Sequence, residues 1–558
     1  MVILSAKFNS PYMKRIFFVF SALFFLFSVS ANAQYWQQEV NYKIDVTLND
    51  QQHSLKGNIS FEYKNNSKDE LPFIWIHLWP NGYKNNETAL YKQVAADKEG
   101  KKRLKDFKEN GYIDSLSFTA NDKVCRIEAD PVNIDIIKLI LPTPLAPGAK
   151  VNISTPFFVK IPGYFSRFGH NGNYYMVSQW YPKPAVYDAK GWHPIPYLDQ
   201  GEFYSEFGSF DVSITLPSDY VVAATGNLQT ATELEAYKKT GAENKRMFDA
   251  AQKSFSFEKE IQDAVAKVKP VNVFSTSSNA VKTLHFTENN IHDFAWFASK
   301  EFIVQYDTMS VIPGTTIDVF TFHNPKSSTL WYNSNNFVKD AVSHYSNWLG
   351  KYPYGSVKAV EGPRNQTSGG MEYPTVTMIT SPDASQERLD AVIVHEVGHN
   401  WLYGMLASNE RDHPWMDEGV NTYLQFRYEA VKYRANSIFG DDIPEEIKRK
   451  NADDFQASIY NVMNQAIPME EPIETVSTGF KNKEDYGTVI YLKTAVWMYV
   501  AEIILGRDKM DEALHNYFNE WKFKHPYPED FKAVFQKTTG KNVDAVFDLL
   551  NKKGKVNN

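Results

Sequence analysis

The sequence predicts an α+β chain in two parts. An antiparallel β domain of sandwich or saddle type is expected over residues 34–312, and a mostly α-helical part with a small β portion over 313–558. Three observations predict this. Through the first half, apolar and polar residues alternate with a period of two, as in strands with one buried face. After Pro313-Gly314, apolar residues recur mainly at helical spacing. A chain of 558 residues is also long enough to bury more than one core.

The chain opens on a secretory pattern. Lys14-Arg15 is a basic n-region, and Ile16 to Val29 is an apolar stretch too short for an ordinary spanning helix. Ala31-Asn32-Ala33 is a small-x-small cleavage site. Residues 1–33 are therefore expected to be removed, leaving Gln34 first and the protein periplasmic or extracellular; Met13, directly before the basic pair, is an alternative start. No cysteine stands directly after the cleavage site, so a lipid anchor has no support, and no membrane segment is expected once the signal is gone. Cys125 is the only cysteine, which excludes an intrachain disulfide and leaves stability to the cores.

Tyr42, Ile44, Val46 and Leu48 alternate with polar residues, as do Ile59, Phe61 and Tyr63. Phe73 to Trp79 reads as a more buried strand stopped by Pro80-Asn81-Gly82, and Phe210 to Leu216 alternates up to Pro217. Leu228 to Lys269 is charged and rich in Ala, Glu and Lys, and reads as a helical or mobile insertion. In the second part, Ile317 to Phe322 is a strand. Ser328 to Leu349 is a helix with Phe337, Ala341, Tyr345 and Trp348 on one face. Further helices are expected over Ala391–Ala407, Asp417–Tyr433, Val489–Leu505 and Lys509–Lys522.

Composition sets limits. The chain is 43% hydrophobic and 22% charged, ordinary for a globular protein, and its net charge of −7 without a basic stripe argues against nucleic acid as a partner. The 15% aromatic share suits broad β surfaces and a stacking-rich cleft, and equally a core rich in aromatics.

The chemistry centres on Val394-His395-Glu396-Val397-Gly398-His399. On a helix, positions i and i+4 share a face, so His395 and His399 can point two imidazoles at one metal ion while Glu396 falls beside it as a general base. Trp415-Met416-Asp417-Glu418-Gly419 then offers Glu418 as a third ligand. Two histidines and one glutamate form a catalytic zinc set with one position left for water. With 13 histidines in the chain, a lone H-E-x-x-H arises by chance at a rate of a few per cent at most; the second stretch makes chance a poor account. Ahead of this helix lies Gly369-Gly370-Met371-Glu372-Tyr373-Pro374. Its glycines can admit a substrate backbone, its strand edge can pair with an extended peptide, and Glu372 can bind a free ammonium group. Taken alone, Gly-Gly is a turn and Glu372 a solvated acid.

These stretches together resemble the gluzincin zinc aminopeptidases, the peptidase family that includes aminopeptidase N and leukotriene hydrolase. In that family a Gly-x-Met-Glu-Asn motif precedes H-E-x-x-H, and a glutamate follows the second histidine after eighteen residues, the spacing of Glu418. The resemblance implies a thermolysin-like catalytic domain behind the β domain and one zinc ion on His395, His399 and Glu418. It implies Glu396 as base and Glu372 as the acid that holds a peptide's N-terminal ammonium. Tyr486 to Lys493 is similar to the family's tyrosine segment, which implies that Tyr491 stabilises the oxyanion. Gln179, in Ser178-Gln179-Trp180, matches a cleft glutamine contributed by the β domain, although a polar loop residue reads the same way. There are two departures: Tyr373 stands in place of the motif's asparagine, and Thr494 where the family often has glycine.

The expected function is zinc-dependent removal of N-terminal residues from peptides with a free N-terminus. Two other readings stay open: a zinc endopeptidase of the same fold, and a non-catalytic peptide-binding protein that retains it.

Overall fold

The computed structural model describes residues 35–556 apart from 97, 254, 275–279, 364–368 and 381–384. The expected signal segment, 1–33, lies outside the described residues. From Gln37 onward the chain forms one compact unit.

Alternation makes β1 (Glu39–Asn49) and β2 (Ser54–Lys64), with Val40, Tyr42, Ile44, Val46 and Leu48 of β1 all buried. The two pair in unbroken antiparallel register from Glu39↔Lys64 to Asn49↔Ser54. The strand β3 (Leu71–His77) stops two residues short of the expected Trp79, because Pro80 lacks an N–H and Trp79–Tyr83 turns as a 3-10 helix. It pairs with β4 (Ile136–Leu145) in a second sheet, while β5 (Lys150–Lys160) extends the first sheet beyond β2. One pairing departs from the antiparallel expectation: β6 (Gly208–Pro217) runs parallel to β1, with Tyr42 opposite Phe210. The chain reaches β6 only after a long excursion through other sheets, and such a crossover can return a strand in the same direction.

The insertion is helical, as α1 (Ala231–Gln252) and α2 (Glu258–Val265), and it is docked rather than mobile. Asn244 Nδ2 donates to Val304 O at 2.9 Å, and a Cβ at Gly241 would lie 2.7 Å from that of Tyr306. After it, β7 (Val281–Ile291) closes antiparallel on β6.

A five-stranded sheet follows, in the order β8 (Ile303–Met309), β9 (Ile317–His323), β10 (Ser356–Glu361), β12 (Val376–Ile379), β11 (Gly370–Tyr373). The expected boundary at 312 therefore falls inside the β8–β9 hairpin. The alternation of β8 resembles that of the strands before it, so sequence alone cannot assign it to the second sheet. The helix α3 (Ser334–Trp348) leads into β10, and α4 (Gln386–Gly398) leaves β12.

The expected helix over 391–407 is displaced. The helix α4 begins at Gln386, with the Ser385 hydroxyl capping Arg388 N–H at 3.2 Å, and it ends at Gly398 with His399 as C-cap. Tyr403, at φ 91°, lies in the left-handed region that a continuing helix forbids. The helix α5 (Glu418–Lys432) packs on α4. It also meets a π-helical turn, Gly487–Lys493, that runs into α6 (Thr494–Leu505). Here the Thr494 departure has a physical answer. A Cβ at Gly419 would lie 2.4 Å from Thr494 Cβ, so the glycine of this close crossing sits on the facing helix. Residues 483–505 are long and apolar enough to span a bilayer by composition, but 72% of the most apolar window is buried within the protein. The second part also holds a helix over Ala452–Ala466, α7 (Arg507–Trp521) and α8 (Pro528–Thr539), with shorter helical turns between them.

Candidate active site

The metal-binding reading begins with backbone support. The Asn421 side chain of α5 donates to the His395 carbonyl at 2.7 Å and accepts from the Tyr345 hydroxyl of α3 at 2.5 Å. Gly398 makes room for both, since a Cβ there would lie 2.3 Å from Asn421 Oδ1. These contacts fix α4 against α5. His395 Nε2 then lies 3.1 Å from Glu418 Oε2 and 3.1 Å from His399 Nε2, and the third side of the triangle is 3.3 Å.

The outer nitrogens decide what this triangle can hold. His399 Nδ1 donates to Asp417 Oδ1 at 2.6 Å. His395 Nδ1 faces Gln425 Oε1 at 2.9 Å, and the Gln425 amide donates to Glu429 and Ser437, which turns its oxygen toward the imidazole. Both Nδ1 atoms thus carry the proton, and both Nε2 atoms present lone pairs to one point shared with a carboxylate. A cation at that point is held by all three. Tetrahedral zinc with bonds of about 2.0–2.1 Å separates its ligand atoms by about 3.3 Å, close to the triangle observed. The residues fit zinc.

Glu396 is buried, and its Oε2 has no partner among the described residues. Burial pushes its pKa up to about 8; His399 opposes the shift and Glu418 adds to it. A cation on the trio acts against burial, toward the carboxylate that a base requires. Gly370 has a role beyond admitting substrate: a Cβ there would lie 2.5 Å from Glu396 Cδ, so glycine clears the space the base occupies.

Gly369, Gly370, Met371 and Glu372 all line a cavity of about 480 Å³ together with the metal trio, Glu396 and Tyr491. The strand β11 is a sheet edge, as expected of a peptide-pairing strand. Glu372 is 5% exposed and its Oε1 is unpartnered among the described residues. Burial, followed by the charge of Glu202, holds its pKa well above the usual carboxylate range. Carboxylate oxygens of Glu202, Glu372 and Glu418 lie within 4.8 Å of one another, as do those of Glu372, Glu410 and Asp417. A cation beside these buried acids would offset the cost of charging them.

Sequence reasoning missed Glu202. It comes from the 199–202 segment of the β part, which carries no periodic pattern. Arg167 pairs with one oxygen of Glu202 and also donates to the Leu198 carbonyl at 3.1 Å and to Met371 Sδ at 3.0 Å. The segment is tied to the helical part from several sides. Asp199 pairs with Lys483 at 2.5 Å, Gln200 donates to the Ser477 carbonyl at 3.0 Å, and Arg411 donates to the Glu202 carbonyl at 3.1 Å. Asp417 was also passed over, although it stands beside Glu418 in the motif already quoted.

Gln179 does not reach the cavity. It is buried at φ 54° and its Oε1 accepts from Lys183 Nζ at 3.4 Å, so a buried lysine takes the oxygen expected to face substrate. Tyr373 also stays out of the cavity, packed beside Phe297, so this departure leaves the lining unchanged. Tyr486, just before the π-turn, and Tyr491 within it line the cavity together, and the Tyr491 hydroxyl donates to Glu418 Oε1 at 2.5 Å.

A β part joined to a helical part, with a His-His-Glu trio and a neighbouring glutamate in the cleft, is an arrangement suited to a catalytic zinc ion. Residues 334–549 match the Peptidase family M1 domain. Over 186 residues, 32% of this chain and 27% of the relative, it is 29% identical to leucine aminopeptidase 2 of Phaeosphaeria nodorum. It is 24% identical to aminopeptidase B of Mus musculus over 36% of this chain and 30% of that protein. The chain spans under a third of the length of these relatives. The fold is similar to that of an M1 zinc metallopeptidase from Deinococcus radiodurans, with a TM-score of 0.58 and 13% identity over 93% of this chain and 95% of that one.

Proposed function

We propose that the protein is a zinc aminopeptidase that removes N-terminal residues from peptides. One observation carries the reading: beside the metal trio, the buried carboxylates of Glu372 and Glu202 converge on a point suited to a free α-ammonium. A peptide's amine, with a pKa near 8, is mostly charged at neutral pH and pairs with them. Held there, the first peptide bond falls at the trio, so the anchor sets the register of cleavage.

Bound zinc supplies Lewis acidity toward the carbonyl and acidifies water. Glu396 accepts the proton of the attacking water and delivers it to the leaving nitrogen. The Tyr491 O–H, now on Glu418, turns to donate to the oxyanion as charge develops. Tyr491→Phe is expected to lower kcat by about a hundredfold with little change in KM, as for a contact made only in the transition state. An unchanged kcat passes the role to Tyr486, whose buried hydroxyl lacks a partner among the described residues.

The deciding experiment is hydrolysis of a peptide library with free and acetylated N-termini, read by mass spectrometry, with and without a chelator. Sequential loss of first residues from free peptides alone, abolished by the chelator, is expected. Internal cleavage of both sets would make the protein an endopeptidase, and binding without cleavage would leave the non-catalytic reading. Export belongs to the same proposal, supported by Lys14-Arg15, the apolar 16–29 stretch and Ala31-Asn32-Ala33. Sequencing of secreted protein is expected to begin at Gln34; a retained leader would refute cleavage.

A further inference from the structure

The cavity extends beyond the metal trio. From the metal trio it continues along α4 and α5 between the apolar side chains of Val392, Phe426, Ile438 and Leu492, and it reaches Arg388 and Ser437. Arg388, Val392 and His395 recur at helical spacing on α4, which puts all three on the cavity side.

Among the described residues, three arginine or lysine residues line the cavity: Arg167, Lys483 and Arg388. The first two are committed, Arg167 to Glu202 and Lys483 to Asp199. Arg388 differs. Among the described residues its side chain makes one hydrogen bond, from Nη1 to the Ser437 carbonyl at 2.6 Å, and no carboxylate pairs with it. The nearby Glu429 is turned elsewhere, with its oxygens accepting from Gln425 Nε2 at 2.6 Å and Ser437 N–H at 2.5 Å. A guanidinium has five N–H donors in a planar fork. Here one end is fixed on a backbone carbonyl, and the exposed side chain lines the cavity with donors to spare.

We propose that Arg388 binds the C-terminal carboxylate of short peptide substrates, so that the cleft holds a substrate by both of its charged ends. This rests on the aminopeptidase reading above and adds the substrate class. Spacing sets the length. Seven residues of helix separate Arg388 from His395, about 10 Å along the axis. An extended peptide rises about 3.3 Å per residue, so a carboxylate two or three residues beyond the scissile carbonyl reaches the guanidinium. The substrates are peptides of three or four residues, and the reaction that supplies them is endoproteolysis, which leaves a free carboxylate on each fragment. The apolar wall between trio and Arg388 favours apolar side chains after the scissile bond.

The test pairs each peptide, from two to six residues, as free acid and as C-terminal amide, on zinc-loaded wild type, Arg388→Gln and Arg388→Lys. Wild type is expected to favour the acid by about tenfold or more in kcat/KM at three or four residues, the size of one charge-assisted contact, and less at other lengths. Arg388→Gln is expected to bring the acid-to-amide ratio near one, and Arg388→Lys to keep part of it. Calorimetric binding of the same pairs to zinc-loaded Glu396→Gln reads the anchor without turnover. A wild-type ratio near one at every length, or a preference that survives Arg388→Gln, overturns the proposal. In that case continued cleavage of the amides leaves the aminopeptidase reading standing. Failure of that reading shows separately, as no release of first residues from either form.

Discussion

Glu396→Gln is expected to lose two to four orders of magnitude in kcat, the usual range for general acid–base catalysis, while metal analysis still finds about one zinc per chain. The substitution keeps size and shape, so the space cleared by Gly370 stays filled and the fold stays as it is. The amide cannot accept a proton from water and has none to deliver to the leaving nitrogen. The trio is untouched, because the ligand atoms come from His395, His399 and Glu418. Turnover and zinc content, measured on one preparation, separate this from damage to the metal site. A variant with near wild-type kcat would assign the proton transfer to another group, and one that lost zinc would make Glu396 structural.

The second large effect concerns the amine end. Wild type is expected to cleave a free peptide roughly thirtyfold faster or more than its acetylated twin. Acetylation leaves a buried carboxylate without its cation, and truncating one partner of such a pair costs about 2–5 kcal/mol. Glu372→Ala is expected to slow the free peptide strongly and to narrow the gap between the two substrates. Glu202 stays in place in that variant, held by Arg167, so a residual preference is expected. The measurement is kcat/KM for both substrates on both enzymes, treated as a cycle. An undiminished preference in Glu372→Ala would move the anchor to Glu202 alone.

The parts of the site that sequence revealed are local in the chain. His395 and His399 are one helical turn apart, and Glu418 stands at a fixed interval after them, so spacing carries their geometry. Gly370 and Glu372 sit two residues apart on one strand, which places both on the same face. Glu202 lies 170 residues before Glu372, in a loop whose only irregular mark is Gly201 at φ 100°, and no pattern along the chain joins the two. The end of α4 was hidden for another reason. Residues 400–407 keep helix-like apolar spacing, and the break at Tyr403 arises from backbone conformation held by tertiary contacts, among them His292 Nε2 with the Tyr403 carbonyl at 2.9 Å. The placement of β8 (Ile303–Met309) ahead of the expected boundary near 312 has the same root: a strand's alternation tells which face is buried, not which sheet it joins.

The ties around residues 199–202 bear on how the cleft behaves as a machine. Where two walls meet through a few surface contacts, a hinge can open and close around each substrate. Here the walls are riveted by Lys483 and Asp199 and by Arg411 on the backbone of Glu202, with Asp199 held also by Arg103 at 2.6 Å. These ties oppose hinge opening, so substrates are expected to enter by diffusion rather than by being clamped. Crystals should therefore take up peptides by soaking without cracking, and turnover should be insensitive to viscogens that slow large-scale closure.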